Sequence, residues 1–343
     1  MLDSSVPSVA FVTGGTGFVG SHLVEALVAR GVGEVRCLVR SDPKWLGRVD
    51  GPVTLIQGDL FSQDALRAGL DGVSAVYHVA GLTRARDQAA LDRANVDGTR
   101  SLLAAVREAA PDVRELVVTS SLEAMGPNRL APDGAPVPAT EADTPRPVSM
   151  YGRSKAGMER MVADEFGDLR PVLVRPPAVY GPREADIFEM IRAASRGVFA
   201  VVGDGRARRL SLVHVRDLTA GMILAAQTPG RPAAAGVETY FIGSHRGHSW
   251  DEVRAAMAAA LGRTVWRLPV PTAAMGVAGR VSEWAGALRG TLPPLTRDKA
   301  EAARHAWVCS VAKAEARLGY RPTVGLAAGM AETVAWARRE GWL

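Results

Sequence analysis

Three glycines set directly behind a short β-branched run constrain this chain more than any other feature. Ser8–Thr13 reads Ser-Val-Ala-Phe-Val-Thr. It leads into Gly14-Gly15-Thr16-Gly17-Phe18-Val19-Gly20, then into apolar residues at helical spacing (Leu23, Ala26, Leu27) as far as Arg30. The run predicts a buried strand and the spacing a helix over residues 22–30, stopped by Gly31 and Gly33. Between strand and helix, a Cβ at the first glycines would block both the tight turn and the approach of a pyrophosphate. The helix start then offers unpaired N–H groups and a positive dipole end to the phosphates. Gly14, Thr16, Gly17, Phe18, Val19 and Gly20 are therefore candidate contacts to a dinucleotide.

The same pattern continues. Glu34–Val39, Val53–Ile56, Ala75–Val79, Glu115–Thr119 and Val172–Val174 read as strands, and Leu91–Ala110 and Ser154–Phe166 as helices. Alternating strand and helix implies a parallel sheet covered on both faces. With 343 residues, a prior of ~150 per domain gives about two. An apolar share of 47% and a charged share of 22% exclude disorder as the main state. The pattern changes after Gly181-Pro182, where helices and Pro/Gly-punctuated pieces (Pro229-Gly230, Pro269, Pro271, Pro293-Pro294) replace it and most tryptophans occur (Trp250, Trp266, Trp284, Trp307, Trp336, Trp342). The expected fold class is α/β: a Rossmann-type doubly wound parallel sheet with a smaller, mostly helical C-terminal substrate domain. The dinucleotide domain is expected at 1–182, with 213–242 returning to it, and the substrate domain at 183–212 and 243–343. Pro127–Pro147 is expected to be a loop.

The net charge of +5 is an Arg excess spread along the chain, which favours an anionic ligand over nucleic acid. Cys37 and Cys309 lie far apart without metal spacing and read as reduced, buried or half-buried thiols. His245 and His248 read as a polar loop, and no metal is expected. The first residues lack the basic and apolar regions of a signal peptide, and no window reaches the ~18 apolar residues of a spanning helix. The expected location is cytoplasmic.

Tyr151-Gly152-Arg153-Ser154-Lys155 places a tyrosine and a lysine four apart, on one face if a helix starts there. A free phenol titrates near ~10, too high for acid/base work at neutral pH, and a neighbouring ammonium stabilises the phenolate. Tyr151 is thus a candidate general acid/base, and Lys155 its tuning partner and a ligand for the nicotinamide ribose. Thr119-Ser120-Ser121 ends the fifth strand, where a serine hydroxyl can fix the reacting oxygen.

Together, the Gly14/Gly17/Gly20 spacing, Tyr151/Lys155 and the chain length resemble the extended short-chain dehydrogenase/reductases, the NAD-dependent epimerase/dehydratase superfamily. The resemblance runs from Val9 to about Leu218. Counting back from Gly126, as that superfamily's motif does, picks Ser121 over Ser120. It implies that Asp59 faces the adenine amino group with Leu60 beside it. It further implies that Val79, Ala80 and Gly81 lie along the cofactor, and that Pro176, Ala178 and Val179 meet the carboxamide. Asn95-Val96-Asp97-Gly98-Thr99 matches a superfamily helix motif, with Asn95 a structural or proton-relay residue. Val213–Leu218 matches a later motif, and a homodimer through two helices of the sheet domain is implied.

An acid is expected at the end of the second strand in an NAD enzyme. Here Val39 takes that place and Arg40 follows, with Lys44 near. A guanidinium pairs with a 2′-phosphate, so NADP is favoured over NAD. For substrate, Thr119–Asn128 resembles the 3β-hydroxysteroid dehydrogenases, as do Pro293–Arg297 and Ala312–Pro322. A hydrophobic secondary alcohol or ketone is implied, a 3β-hydroxysteroid or sterol first. Trp266–Leu292 suits a lipophilic lid, ordinary helical packing or a peripheral membrane contact flanked by Arg280 and Arg289. Three alternatives stay open. A nucleotide-sugar epimerase or dehydratase shares Gly203-Asp204-Gly205 but would not continue Arg209-Leu210-Ser211. A dihydroflavonol-reductase-like ketone reductase matches Arg40. A redox-sensing regulator would not need Ser121, Tyr151 and Lys155 together. Glu123, two past Ser121, either faces substrate or caps its loop.

Overall fold

The computed structural model describes residues 6–203, 208–227, 236–271, 274, 279 and 301–343. Asp204 and Gly205, Pro229-Gly230, Arg280, Trp284, Arg289, Pro293–Arg297 and most of the proposed lid lie outside the described residues.

Thirteen strands and ten helices are named here in chain order. The strands are β1 (Val9–Thr13), β2 (Glu34–Val39), β3 (Val53–Gln57), β4 (Ala75–His78), β5 (Glu115–Thr119), β6 (Val172–Arg175), β7 (Ala178–Tyr180), β8 (Val198–Val202), β9 (Arg209–Leu210), β10 (Leu212–His214), β11 (Glu238–Phe241), β12 (His248–Ser249) and β13 (Trp266–Val270). The helices are α1 (Phe18–Ala29), α2 (Gln63–Leu70), α3 (Gln88–Asp92), α4 (Gly98–Ala109), α5 (Met150–Phe166), α6 (Ala185–Ser195), α7 (Val215–Ala226), α8 (Trp250–Leu261), α9 (Ala312–Leu318) and α10 (Leu326–Arg339).

Seven strands form one sheet in the order β11-β6-β5-β4-β1-β2-β3, and every pairing is parallel. The order reverses between β1 and β4, and ligands of open parallel sheets bind at such a switch point, beyond the strand C-termini. Strand alternation builds two apolar layers. Ala10, Val12, Val117, Val172 and Val174 face Leu23, Leu27, Leu218 and Met222 of α1 and α7. Phe11, Leu116, Val118 and Leu173 face Leu66, Leu102, Val106, Met158 and Val162 of α2, α4 and α5. A third cluster joins Ile191, Phe199, Val201, Val253, Met257, Met330 and Val334 from α6, β8, α8 and α10.

Two expectations need correction. The first helix starts at Phe18 rather than His22, because the glycine turn feeds straight into it. The long helix over 91–110 is broken: α3, a π-helical turn at Arg93–Asp97 and α4 replace it. Among the described residues the C-terminal part also contains two ribbons, β8 paired with β13 and β9 with β12. Those ribbons join residues far apart in sequence (Val198 with Trp266), so no local pattern announces them. β11 is the seventh strand of the main sheet, beside β6. Among the described residues no helix is long and apolar enough to cross a membrane.

The glycine turn tolerates little. A Cβ at Gly20 would stand 2.1 Å from the Gly14 carbonyl oxygen, and Gly14 holds φ +76 with the Ala80 amide 2.6 Å from its would-be Cβ. Both obstacles are backbone and cannot rotate away. Gly20→Ala is expected to destabilise by about 1–3 kcal/mol, the usual range for overpacking. Gly47→Ala, where a Cβ meets nothing within 4 Å, is the control for the same thermal melts.

Candidate active site

The C-terminal ends of β1, β4, β5 and β6 meet the first turns of α1 and α5. Gly17 caps α1 without any side-chain hydrogen bond, and the first turn carries no acid. Its leading N–H groups thus have no side chain competing for them, which fits a pyrophosphate. Thr16, Phe18 and Val19 are half-buried around this turn, Gly17 is exposed and Gly20 buried.

β4 delivers Val79, Ala80 and Gly81 to the same place. The Val79 amide donates to the Thr13 carbonyl (3.1 Å). Beneath them runs a buried chain. The Ala80 amide donates to Thr13 Oγ1 (3.4 Å), Thr13 Oγ1 meets His78 Nδ1 (2.7 Å), and His78 Nε2 meets Thr99 Oγ1 (2.8 Å). The Thr99 hydroxyl donates its own proton to the Asn95 carbonyl (2.6 Å). It therefore accepts from His78 Nε2–H, and Nδ1 accepts from Thr13. Burial, reinforced by the Lys155 charge, pushes the His78 pKa down to about 3, so the ring is neutral. Asn95 sits in the π-helical turn. Its amide holds Leu82 at both N–H (2.8 Å) and carbonyl (2.9 Å) and donates to Ser154 Oγ (2.9 Å).

α5 begins at Met150, capped by Ser149, whose hydroxyl accepts from the Gly152 amide (2.9 Å). Tyr151 and Lys155 therefore share one helix face, at its first turns. Tyr151 is half-buried and its hydroxyl is hydrogen-bonded to the Ser121 side chain. Burial, and next the Glu123 carboxylate, raise the phenol's pKa, while Ser121 opposes them. Ser121 Oγ also accepts from the Glu123 amide (3.1 Å). Ser120 points away: its hydroxyl donates to Glu159 (2.5 Å).

Lys155 is buried, and its ammonium donates to the Thr119 carbonyl (2.8 Å). Burial lowers its pKa to about 8, and Glu159 opposes the shift. The Thr119 carbonyl and, more weakly, Met158 Sδ (3.9 Å) accept from the ammonium, which leaves a proton for a ligand, and among the described residues the buried Thr119 Oγ1 nearby has no hydrogen-bond partner. Such orphaned polar atoms suit a ribose bearing hydroxyls. Glu159 is clamped by Arg175 at 2.8 and 2.6 Å, both side chains under a tenth exposed. Sequence reasoning passed over Glu159. Its position, four past Lys155 and eight past Tyr151, was the available signal, because those spacings share one helix face.

The remaining candidates are more dispersed. Arg40 is exposed just past β2, and Val39 is buried. Lys44 is exposed at φ +48. The Asp59 carboxylate accepts from the Phe61 amide and the Ser62 hydroxyl (both 2.9 Å), which holds its pKa below the usual range. Leu60 packs over Gly98. Pro176 gives its carbonyl to the Leu122 amide (2.9 Å), and Ala178 and Val179 pair with Leu212 and Val213. Cys37 and Cys309 are free and buried. His245 pairs with Glu315 at 2.6 Å, and His248 is buried in β12.

The NAD dependent epimerase/dehydratase family matches residues 10–243, and the chain belongs to it. A ceramide reductase of Caulobacter vibrioides is 30% identical, over 98% of this chain and 96% of its own. A 4-hydroxy-2-methyl-3-oxo-4-farnesyl-3,4-dihydroquinoline-1-oxide ketoreductase of Stigmatella aurantiaca is 34% identical, over 77% and 82%. The decarboxylating sterol-4-alpha-carboxylate 3-dehydrogenase of Bos taurus is 30% identical, over 67% and 64%. Among solved structures, MoeE5 in complex with UDP-glucose and NAD superposes with a TM-score of 0.73 at 27% identity, over 96% of this chain and 99% of that one. The chain is an oxidoreductase of the short-chain dehydrogenase/reductase type, and its family is NAD-dependent.

The neutral His78 ring makes a measurable prediction. An unfolded histidine titrates near ~6.5 and the folded ring near 3. As pH falls through this window the unfolded chain binds the proton first, so stability drops. His214, buried and lowered to about 4, adds to the same slope. Chemical denaturation between pH 7 and 4 is expected to show declining stability, with a shallower decline in His78→Asn.

Proposed function

We propose that the protein moves a hydride between a nicotinamide dinucleotide and a hydrophobic secondary alcohol or ketone, with a 3β-hydroxysteroid or sterol-like molecule first among substrates. The Ser121–Tyr151 hydrogen bond beside the buried Lys155 ammonium carries this proposal. With the dinucleotide's pyrophosphate over the glycine turn, its nicotinamide would supply or accept the hydride. Tyr151 gives the proton to the carbonyl oxygen or takes it from the alcohol. Ser121, oriented by the Glu123 amide, fixes that oxygen. Lys155 stabilises the phenolate and holds ribose hydroxyls.

In this proposal Gly14, Thr16, Gly17, Phe18, Val19 and Gly20 receive the pyrophosphate. Asp59 and Leu60 flank the adenine, Val79 to Gly81 line the cofactor's length, and Pro176, Ala178 and Val179 border the carboxamide. Residues 1–182 and 213–242 form the dinucleotide part, and 183–212 with 243–343 the substrate part. The substrate class is supported by relatives whose names specify a ceramide, a farnesylated quinoline and a sterol. All three are lipophilic.

NADP is proposed over NAD because Arg40, exposed just past β2, stands where an acid would bind the ribose. Hydrogen bonds to charged groups are worth about 1.5–3 kcal/mol. Arg40→Ser is therefore expected to cut NADP affinity roughly ten- to hundred-fold and leave NAD affinity nearly unchanged, read by nicotinamide fluorescence titration. Equal losses for both would remove Arg40 from the discriminating role.

Reaction class is tested by absorbance at the nicotinamide band, crossing NAD and NADP with steroid and nucleotide-sugar panels. Steroid-dependent reduction of cofactor supports the proposal. Sugar products formed with tightly held cofactor and no net redox change would replace it with epimerisation or dehydration. Tyr151→Phe is expected to lose at least a hundred-fold in kcat, within the usual general acid/base contribution, while binding cofactor normally.

A further inference from the structure

The loop that carries Ser121 and the helix that carries Tyr151 are separate pieces of chain, and one residue touches both. The Glu123 backbone amide donates to Ser121 Oγ (3.1 Å). The Glu123 carboxylate accepts the Ser149 hydroxyl (2.6 Å), and that same hydroxyl caps α5 by accepting from Gly152 (2.9 Å). The Glu123 carbonyl lies only 2.4 Å from where a Gly152 Cβ would stand, so the helix start rests directly on this turn. The carbonyl also accepts from the Gly126 amide (3.2 Å), which closes the turn. A residue that merely faced substrate would not need its amide, carboxylate and carbonyl committed to these two elements.

We propose that Glu123 is a positioning residue: its carboxylate ties the Ser121 turn to the N-cap of α5 through Ser149 and so sets the Ser121–Tyr151 hydroxyl pair. This rests on the proposed use of that pair in proton transfer. Ser149 has one hydroxyl proton, and giving it to Glu123 leaves its lone pairs for Gly152. Both bonds can therefore hold at once. The carboxylate's charge has a second effect. It disfavours the phenolate, against the Ser121 hydrogen bond. The charge that acts on the phenol comes from the 122–124 turn (Glu123), and farther along α5 lie Lys155 and Glu159, the latter paired to Arg175 of β6. Removing the charge and removing the tie should thus act differently.

The test compares Glu123→Gln, Glu123→Ala and Ser149→Ala with the parent. Gln keeps an oxygen that accepts from Ser149 and loses the charge; Ala loses both. The first readout needs no substrate: hydrogen exchange of segments 120–126 and 149–153 in the full chain. Glu123→Ala is expected to speed exchange in both segments together, and Glu123→Gln in neither. The second readout uses any ketone or alcohol that the parent turns over. Glu123→Ala and Ser149→Ala should lower kcat at least ten-fold with KM within about two-fold, and the double variant should be no worse than either alone. Glu123→Gln should recover most of that kcat and shift to lower pH the limb of kcat/KM that reports the phenol, the alkaline limb with a ketone and the acid limb with an alcohol.

Three outcomes overturn the proposal. Unchanged exchange in Glu123→Ala removes the tie, whatever the enzyme's substrate. Equal kcat losses in Gln and Ala variants make the carboxylate itself a participant in proton transfer. A rise in KM alone makes it a substrate contact. If the parent turns over no panel compound, the exchange result still decides the positioning role, and only the reaction proposal fails.

Discussion

An ammonium buried beside the end of a parallel sheet is the constraint around which this site is arranged. Taking a charge out of water costs several kcal/mol unless partners replace the lost solvation. Lys155 has an oxygen acceptor in the Thr119 carbonyl, a weaker sulfur acceptor in Met158, and a negative neighbour in Glu159. Glu159 is in turn held by Arg175 from the next strand and by Ser120. The charges therefore form an alternating series: ammonium, carboxylate, guanidinium. Arg175 holds Glu159 by direct bonds, and Glu159 favours the lysine's charge through space. That order explains why the two serines ending β5 have different duties. Ser120 supports the carboxylate below, and Ser121 turns toward the phenol.

The surrounding scaffold keeps this arrangement dry and registered. Two apolar layers grip the sheet through strict alternation in β1, β5 and β6. The Thr13–His78–Thr99 chain then ties the ends of β1 and β4 to α4, and Asn95 ties the π-helical turn to α5 through Ser154. The break at Arg93–Asp97 follows from this duty. A regular helix would carry Asn95 past the level of Leu82, whereas an extra residue per turn leaves its amide facing Leu82 and Ser154 together.

Much of this was legible in the sequence for local reasons. β2 and β5 match their expected bounds, because buried parallel strands are short continuous apolar runs closed by turn residues. Gly14 and Gly20 were legible because no other residue fits their contacts. Tyr151 and Lys155 were legible because helix periodicity is short-ranged. Glu159 and Arg175 were not, since their partnership depends on α5 packing over β6, which neither segment records alone. The β8–β13 ribbon was missed for the same reason: each strand is only half an explanation without its distant partner.

The seventh strand has a consequence for how the chain is made. β6 is complete at Arg175, but its neighbour β11 begins only at Glu238. A growing chain thus carries an open row of unpaired N–H and C=O groups along β6 while about 60 further residues are added. At ~5–20 residues per second that exposure lasts several seconds. Exposed apolar edges template mispairing between chains. Val172, Leu173 and Val174, each buried in the finished molecule, are therefore apolar edge residues that a nascent or truncated form leaves exposed to mispairing and to chaperones.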